Sequence, residues 1–415
     1  MQPSEVIPRL SSDIDHDLDK ALDFFVNMLR IRAVNPRMGG PGEAERAEFI
    51  RSFLRTEGFD VTRADVPDQA ARGGVRPNLC ARLEGRDGGK TLWFFVHMDT
   101  VPEGSASLWR SDPFEPKVEG GKVYARGAED NGQSLVSCLF ALRELKRLGE
   151  ETPVGVGVWF VSDEESGSNY GVKHVLAHQP VGPADLVVVP DTGTADGSEV
   201  QLAEKSLLWL KVVTKGKQVH ASRPGKGRNA HREGMKLALA VDEGLHRRFD
   251  GRDELFDEPR STFEPTKVDP GVANVNTIPG VDTTYFDCRV LPQYTLDSVL
   301  SEAGSLIRGF ASRNGAEASL EIVQRDDAGA PTPRSSEVAE LTAKAVATVT
   351  GRKPRFVGTG LRTVGNIFRE KGIPTAVWST IDNVPHEPNE YARVASLISD
   401  AKVFAAMPFL CSPMR

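Results

Sequence analysis

The chain has few cysteines, no excess of positive charge and no long apolar run, and each shortage excludes something. Its four cysteines, Cys80, Cys138, Cys288 and Cys411, are scattered, so they make neither a CxxC metal site nor a disulfide scaffold. None has a histidine set beside it by a recognisable motif, and each reads as a small buried apolar residue with a reduced thiol. Lys and Arg total 51 against 58 Asp and Glu, for a net charge of −7. That balance argues against nucleic acid or an anionic membrane surface as the main partner, since either calls for a basic patch. No apolar stretch approaches the ~20 residues of a membrane span. The first residues lack the charged-then-apolar pattern of a signal peptide, so the expected location is cytoplasmic. No repeat or low-complexity tract is present.

At 415 residues the chain exceeds one ordinary core, and two domains are expected. Helical spacing of apolar residues marks 18–29, 44–54 and 134–148. Near-continuous apolar runs at 91–96, 154–161 and 185–190 read as strands buried on both faces. Their alternation predicts an α/β fold with a mostly parallel sheet. From residue 205 the order becomes strand 205–214, helix 230–249, strands 272–278 and 283–290, helix 296–310 and strand 318–323. This is the β-α-β-β-α-β order of a ferredoxin-like domain. A helix at 338–350 and a strand at 375–379 resume the first pattern. The expected organisation is one discontinuous domain, residues 1–204 and 325–415, with a smaller domain, 205–324, inserted in it.

Four strands of the larger domain run into ionisable residues at their carboxyl ends. They lead to His97-Met-Asp99, to Asp163-Glu164-Glu165, to Pro190-Asp191 and, after a longer turn, to His386. Asp130 stands just before the helix at 134. In open α/β sheets ligands bind beyond the carboxyl ends of the strands, where these groups could converge. Two histidines and several carboxylates suit two divalent ions, Zn²⁺ first, with Co²⁺ or Mn²⁺ as alternatives. Such a pair shares a bridging carboxylate and water, lowers the pKa of that water and polarises a carbonyl. Of two consecutive glutamates, one can ligate while the other accepts a proton. Singly, each acid is more often a solvated or capping group, and His97 more often a satisfied core histidine. Their joint placement carries the argument.

With these residues in place the chain resembles the di-zinc metallopeptidase family of acetylornithine deacetylase, succinyl-diaminopimelate desuccinylase, the aminoacylases, glutamate carboxypeptidase and cytosolic dipeptidases. The matching pieces are His97-Met-Asp99-Thr-Val-Pro, Gly127-Ala-Glu-Asp130, Asp163-Glu164-Glu165-Ser-Gly, Pro190-Asp191 and Pro385-His386-Glu-Pro-Asn-Glu390. In the inserted segment Gly216-Lys-Gln-Val-His220-Ala-Ser222, Asn274-Val-Asn276-Thr and Asp287-Cys-Arg289 match as well. The resemblance implies a zinc-exopeptidase-like catalytic domain and a ferredoxin-like lid that often dimerises. It implies His97 and Asp191 on one metal, Glu165 and His386 on the other, and Asp130 bridging both. Glu164 would be general base and proton donor to the leaving amine, and Asp99 the partner of the His97 imidazole. The peptide after Asp130 would be cis. His220, delivered across a homodimer, would stabilise the oxyanion, while Asn276 and Arg289 hold the substrate, Arg289 as a carboxylate partner.

Three departures bear on substrate. Asp130-Asn-Gly-Gln stands where many relatives have Asp-Met-Lys-Gly. Asp191 replaces the glutamate usual in deacetylases, as in dipeptidases and aminopeptidases of the family. The loop Gly358-Thr-Gly360-Leu-Arg362 lacks an acid common in relatives, which makes Arg362 a further candidate for reading the substrate. The expected function is hydrolysis of the amide bond of a small carboxylate-bearing substrate, an N-acyl amino acid or short peptide. A di- or aminopeptidase is the alternative, with a non-catalytic binding homologue or a dinuclear phosphoesterase behind it. The full set of ligands and base argues against the former, and the lack of a basic anion cluster against the latter.

Overall fold

The computed structural model describes residues 2–149, 151–179, 181–269 and 271–411. The chain divides into two compact units, one of Met1–Leu202, Thr332–Phe356 and Thr363–Arg415, the other of Ala203–Pro331 and Val357–Arg362. The brief return at Val357–Arg362 has no counterpart in the sequence expectation. Of the expected larger domain, residues 1, 150, 180 and 412–415 lie outside the described residues.

The first unit is built on an eight-stranded sheet. Its order is Val61–Pro67, Val75–Leu83, Gly155–Val161, Thr91–His97, Leu186–Thr194, Thr375–Thr380, Glu199–Glu204 and Arg355–Thr359. The four central strands are mutually parallel, and the strand pairs beside them are antiparallel. Alternation divides the side chains between two cores. Leu92, Phe94, Val96, Val156 and Val158 pack on one face, under helices Leu18–Leu29, Ser134–Leu148 and Val394–Leu410. Phe95, Trp159, Val161, Val187 and Val377 pack on the other, with Val172, Val175 and Phe368 from shorter helices. With both faces covered, these strands read as unbroken apolar runs. Helix Ser134–Leu148, amphipathic by its leucine spacing, is instead buried nearly all round, Arg143 and Glu144 included.

The second unit is a four-stranded antiparallel sheet in the order Thr262–Asp269, Val281–Val290, Ser206–Lys215 and Glu317–Asp326. Helices Ala230–Arg248 and Leu296–Asn314 cover it through Leu237, Val241, Leu245, Val299 and Ile307, which meet Leu208, Leu210, Val212 and Phe286. This is the ferredoxin-like arrangement, with one correction. The strand expected at 272–278 is only the two-residue Thr277–Ile278, and the sheet strand is Thr262–Asp269. That strand lies at the sheet edge, mostly exposed and carrying Pro265, so it lacks an apolar signal. Among the described residues no helix is long and apolar enough to cross a membrane. Cys80, Cys138 and Cys288 are buried and Cys411 half-buried, all as free thiols.

Candidate metal centre and active site

His97 closes its strand and is 4 % exposed. Its Nδ1 meets the Asp99 carbonyl at 3.0 Å and the Asp99 carboxylate at 3.5 Å. Both are acceptors, so that nitrogen carries a proton, and Nε2 is the nitrogen placed to ligate a cation once it is deprotonated. Nε2 faces Asp130 Oδ1 at 2.8 Å and Asp191 Oδ1 at 3.8 Å.

Asp130 lies in a wide helical turn, Ala128–Gln133, whose Asp130–Asn131 peptide is cis. Its second oxygen, Oδ2, faces Nε2 of His386 at 3.1 Å. His386 Nε2 also lies 3.2 Å from Glu165 Oε2. The two oxygens of one carboxylate thus face two different histidines, the disposition a bridging ligand requires.

Asp191 was expected just beyond its strand. The strand continues to Thr194, but its pairing breaks at the acid. Val189 pairs with Val377 and the next partners are Gly193 and Ser379, so Pro190, Asp191 and Thr192 bulge opposite Trp378. Asn131 donates to the Pro190 carbonyl at 2.7 Å and to Asp191 Oδ1 at 3.1 Å, which aims the carboxylate.

Glu164 and Glu165 open a short helical turn after Asp163, which has φ +66. Asp99 fixes this turn by accepting the Glu164 amide at 3.0 Å and the Glu165 amide at 3.2 Å. Asn35 donates to Asp99 at 2.7 Å and to Asp163 at 3.3 Å. Beneath it the fully buried Arg76 binds both oxygens of Glu43, at 2.5 and 2.6 Å, and lies 3.4 Å from Asp163. Asn35, Glu43 and Arg76 were not singled out from the sequence. Their signal is an asparagine and an ion pair with no apolar period around them.

The electrostatics divide the cluster. Burial, with the Asp191 and Glu165 carboxylates nearby, pushes Glu164 well above the usual carboxylate range. Burial acts in the same direction on Asp130, but hydrogen bonds from His386 and His97 outweigh it and hold that acid well below. The carboxylates of Asp130 and Glu165 raise His386 to about 10. Among the described residues no hydrogen-bond donor reaches the Glu164 carboxylate.

The donor set fits divalent cations. His97, Asp130 and Asp191 form one group, and Asp130, Glu165 and His386 another, each with ligand atoms within 4.8 Å of one another. Tetrahedral ligands at zinc distances stand about 3.4 Å apart. In addition, Oε1 of Glu165 is buried without a hydrogen-bond partner, a costly state for a carboxylate that nothing else compensates.

All of these residues belong to the first unit. In the second, His220 lies on a two-stranded ribbon in which it pairs with Thr277, and Asn276 immediately precedes that partner. The exposed His220 bonds through Nδ1 to the Ser222 hydroxyl at 2.7 Å. Arg289 is engaged within its own unit, with Asp287 at 2.7 and 3.0 Å and the Gly360 carbonyl at 2.8 Å. It lines a pocket of about 280 Å³ with Lys205, Phe256 and Gly358–Gly360. Arg362 follows on that glycine loop, 3.5 Å from the Asp327 carbonyl.

A histidine–carboxylate cluster at the carboxyl ends of parallel strands, with a buried glutamate of raised pKa beside it, suits the centre of a metal-dependent hydrolase. The chain belongs to peptidase family M20/M25/M40, whose model matches residues 93–408. It is 36 % identical to an uncharacterized metallohydrolase of Methanocaldococcus jannaschii over 93 % of this chain and 98 % of that protein. It is 30 % identical to the succinyl-diaminopimelate desuccinylase of Gluconacetobacter diazotrophicus over 93 % of this chain and 95 % of that enzyme. A tripeptidase from Staphylococcus aureus shares the fold, with a TM-score of 0.74 at 18 % identity, covering 95 % of this chain and 98 % of that one. The protein is thus a metallohydrolase of this family, acting on amide bonds.

Proposed function

We propose that the protein cleaves the amide bond of an N-acyl amino acid or short peptide carrying a free carboxylate, using two divalent ions, Zn²⁺ first. The observation that carries this reading is Asp130, whose two oxygens face His97 and His386 separately. His97 and Asp191 would hold one ion, Glu165 and His386 the other, with Asp130 shared. When bound, such ions lower the pKa of a water and polarise the scissile carbonyl.

The remaining chemistry falls to side chains. Glu164 accepts a proton from the attacking water as its oxygen bonds to the carbonyl carbon. It then delivers that proton to the amine nitrogen as the C–N bond breaks. Asp99 keeps Glu164 in place through its backbone. His220, from the second unit of a partner copy in a homodimer, would donate to the oxyanion. Asn276, Arg289 and Arg362 would hold the substrate. The bonds of Arg289 to Asp287 and Gly360 leave two of its five N–H groups for a carboxylate.

The desuccinylase relative favours an acyl substrate. Asp191 and the tripeptidase neighbour favour the second reading, a di- or aminopeptidase. Bound metal per chain, measured with hydrolysis of N-acetyl and N-succinyl amino acids and dipeptides before and after chelation, tests both. Two ions and chelator-sensitive cleavage of one substrate class are expected. No bound metal and no chelator-sensitive hydrolysis after adding Zn²⁺, Co²⁺ or Mn²⁺ would overturn the proposal.

A further inference from the structure

Two buried glutamates outside the ligand set tie the segment that carries Asp130 to the one that carries His386. Glu390, four positions after His386, reaches back to the Asp130 turn. Its carboxylate accepts the backbone N–H groups of Gly127, Glu129 and Asp130 at 3.1, 2.9 and 3.1 Å. Glu129, the residue before Asp130, reaches the other way. Its two oxygens accept the N–H groups of Asp382 and Val384 at 2.5 and 2.6 Å. Arg126 completes the link, donating to Glu390 at 2.6 Å and to the His386 carbonyl at 3.2 Å.

The turn held by Glu129 needs such a clamp. Asn383, His386 and Asn389 all have φ between +61 and +63, a region that non-glycine residues enter only when their surroundings impose it. His386 is also unlike His97. His97 is buried at a strand end with Nδ1 on a carbonyl, whereas the His386 side chain is 53 % exposed. Among the described residues its Nδ1 has no hydrogen-bond partner. A ligating imidazole is ordinarily oriented by a bond to its second nitrogen. Here the backbone turn is left to do that work.

We propose that Glu129 and Glu390 are positioning residues with separable effects on the two ions. Glu129 sets the His386 turn, and with it the affinity for the ion assigned to Asp130, Glu165 and His386. Glu390 sets the backbone of Asp130, which both ions share. The inference rests on the two-ion reading above.

Metal content of the full-length holoprotein after dialysis against graded Zn²⁺ tests it without reference to activity. Glu129→Gln turns one of two acceptors into a donor facing an N–H group. It should weaken one ion by about 10–100-fold and leave the other at the wild-type value, so that about one ion per chain remains at limiting zinc. Glu129→Asp keeps the charge but withdraws the carboxylate by a methylene, and should give the same split if the glutamine variant fails to fold. Glu390→Gln should weaken both ions together. Wild-type affinity for both ions in the Glu129 variants, or equal loss of both, would overturn the proposal, because a merely structural lesion has no reason to choose between them. A wild-type protein that binds no zinc would instead overturn the two-ion reading and this proposal with it.

Discussion

Asp99 Oδ1 accepts the backbone N–H of Glu164 at 3.0 Å, so the acid after one strand holds the glutamate that follows the neighbouring strand. Its other oxygen takes the Glu165 amide and the Asn35 side chain. In Asp99→Asn an NH₂ group would face one of these donors and the turn would shift. Turnover should fall by about 10–100-fold, with KM changed much less. Steady-state kinetics on the preferred amide decides; an unchanged kcat would show that this contact does not position the base.

Among the described residues Glu164 has no donor on its carboxylate and is not one of the clustered ligand residues. Glu164→Gln should therefore lower kcat by about 10²–10⁴ while metal content stays near that of the wild type. Elemental analysis beside the assay separates the roles. Loss of metal together with activity would make Glu164 a ligand, and retained activity would remove it from the chemistry.

Metal uptake should release protons. The imidazolium of His386 is favoured up to about 10 by Asp130 and Glu165, yet only the neutral ring can ligate. Because the ligand form is the deprotonated one, affinity should rise with pH through the neutral range, by up to about tenfold per unit for each proton displaced. Calorimetric titration with Zn²⁺ in buffers of different ionisation enthalpy counts those protons. A heat independent of buffer would contradict the charge assignment.

Arg76 and Glu43 are each fully buried and joined by two hydrogen bonds. Arg76→Met leaves a carboxylate in the interior without its cation, which typically costs about 3–5 kcal/mol. Equilibrium denaturation of the variant measures this. A loss below about 1 kcal/mol would mean that water or another donor replaces the guanidinium.

Asp400 is raised by burial to about 7, although it accepts the Thr380 amide at 2.9 Å and the Gln133 side chain at 3.2 Å. Between its ordinary value of 3.8 and about 7, the folded chain keeps a proton that the unfolded chain releases. Stability from this group is therefore greatest at low pH and declines as pH rises through that window, by up to about 1.4 kcal/mol per unit. Asp400→Asn cannot titrate and should flatten the decline. Denaturation midpoints from pH 4.5 to 7.5 that fall equally in both proteins would assign the slope to other groups.

Much of the architecture could be read from periodicity, because strands buried on both faces and helices with one apolar face leave a plain record. Helices 18–29 and 134–148 end where their spacing ends. Segments without that record were missed or misplaced. Thr262–Asp269 is a polar edge strand interrupted by Pro265. Helix Val394–Leu410 is apolar on every side and carries Pro408, so it has no period to detect. At the site, His97 and Glu165 stand out because ionisable residues directly follow apolar strands. Glu129, Glu390, Asn35 and Arg76 bind backbone or charge contributed from distant parts of the chain, and such partners leave no local pattern. The bulge at Asp191 is hidden for a similar reason, since it depends on the neighbouring strand's register.

Every residue of the ligand cluster comes from the first unit, and none from the segment Ala203–Pro331 inserted into it. Mutations in that insertion are therefore free of the strict geometric demands of cation binding. A substitution confined to that insertion would change none of the clustered carboxylates and imidazoles.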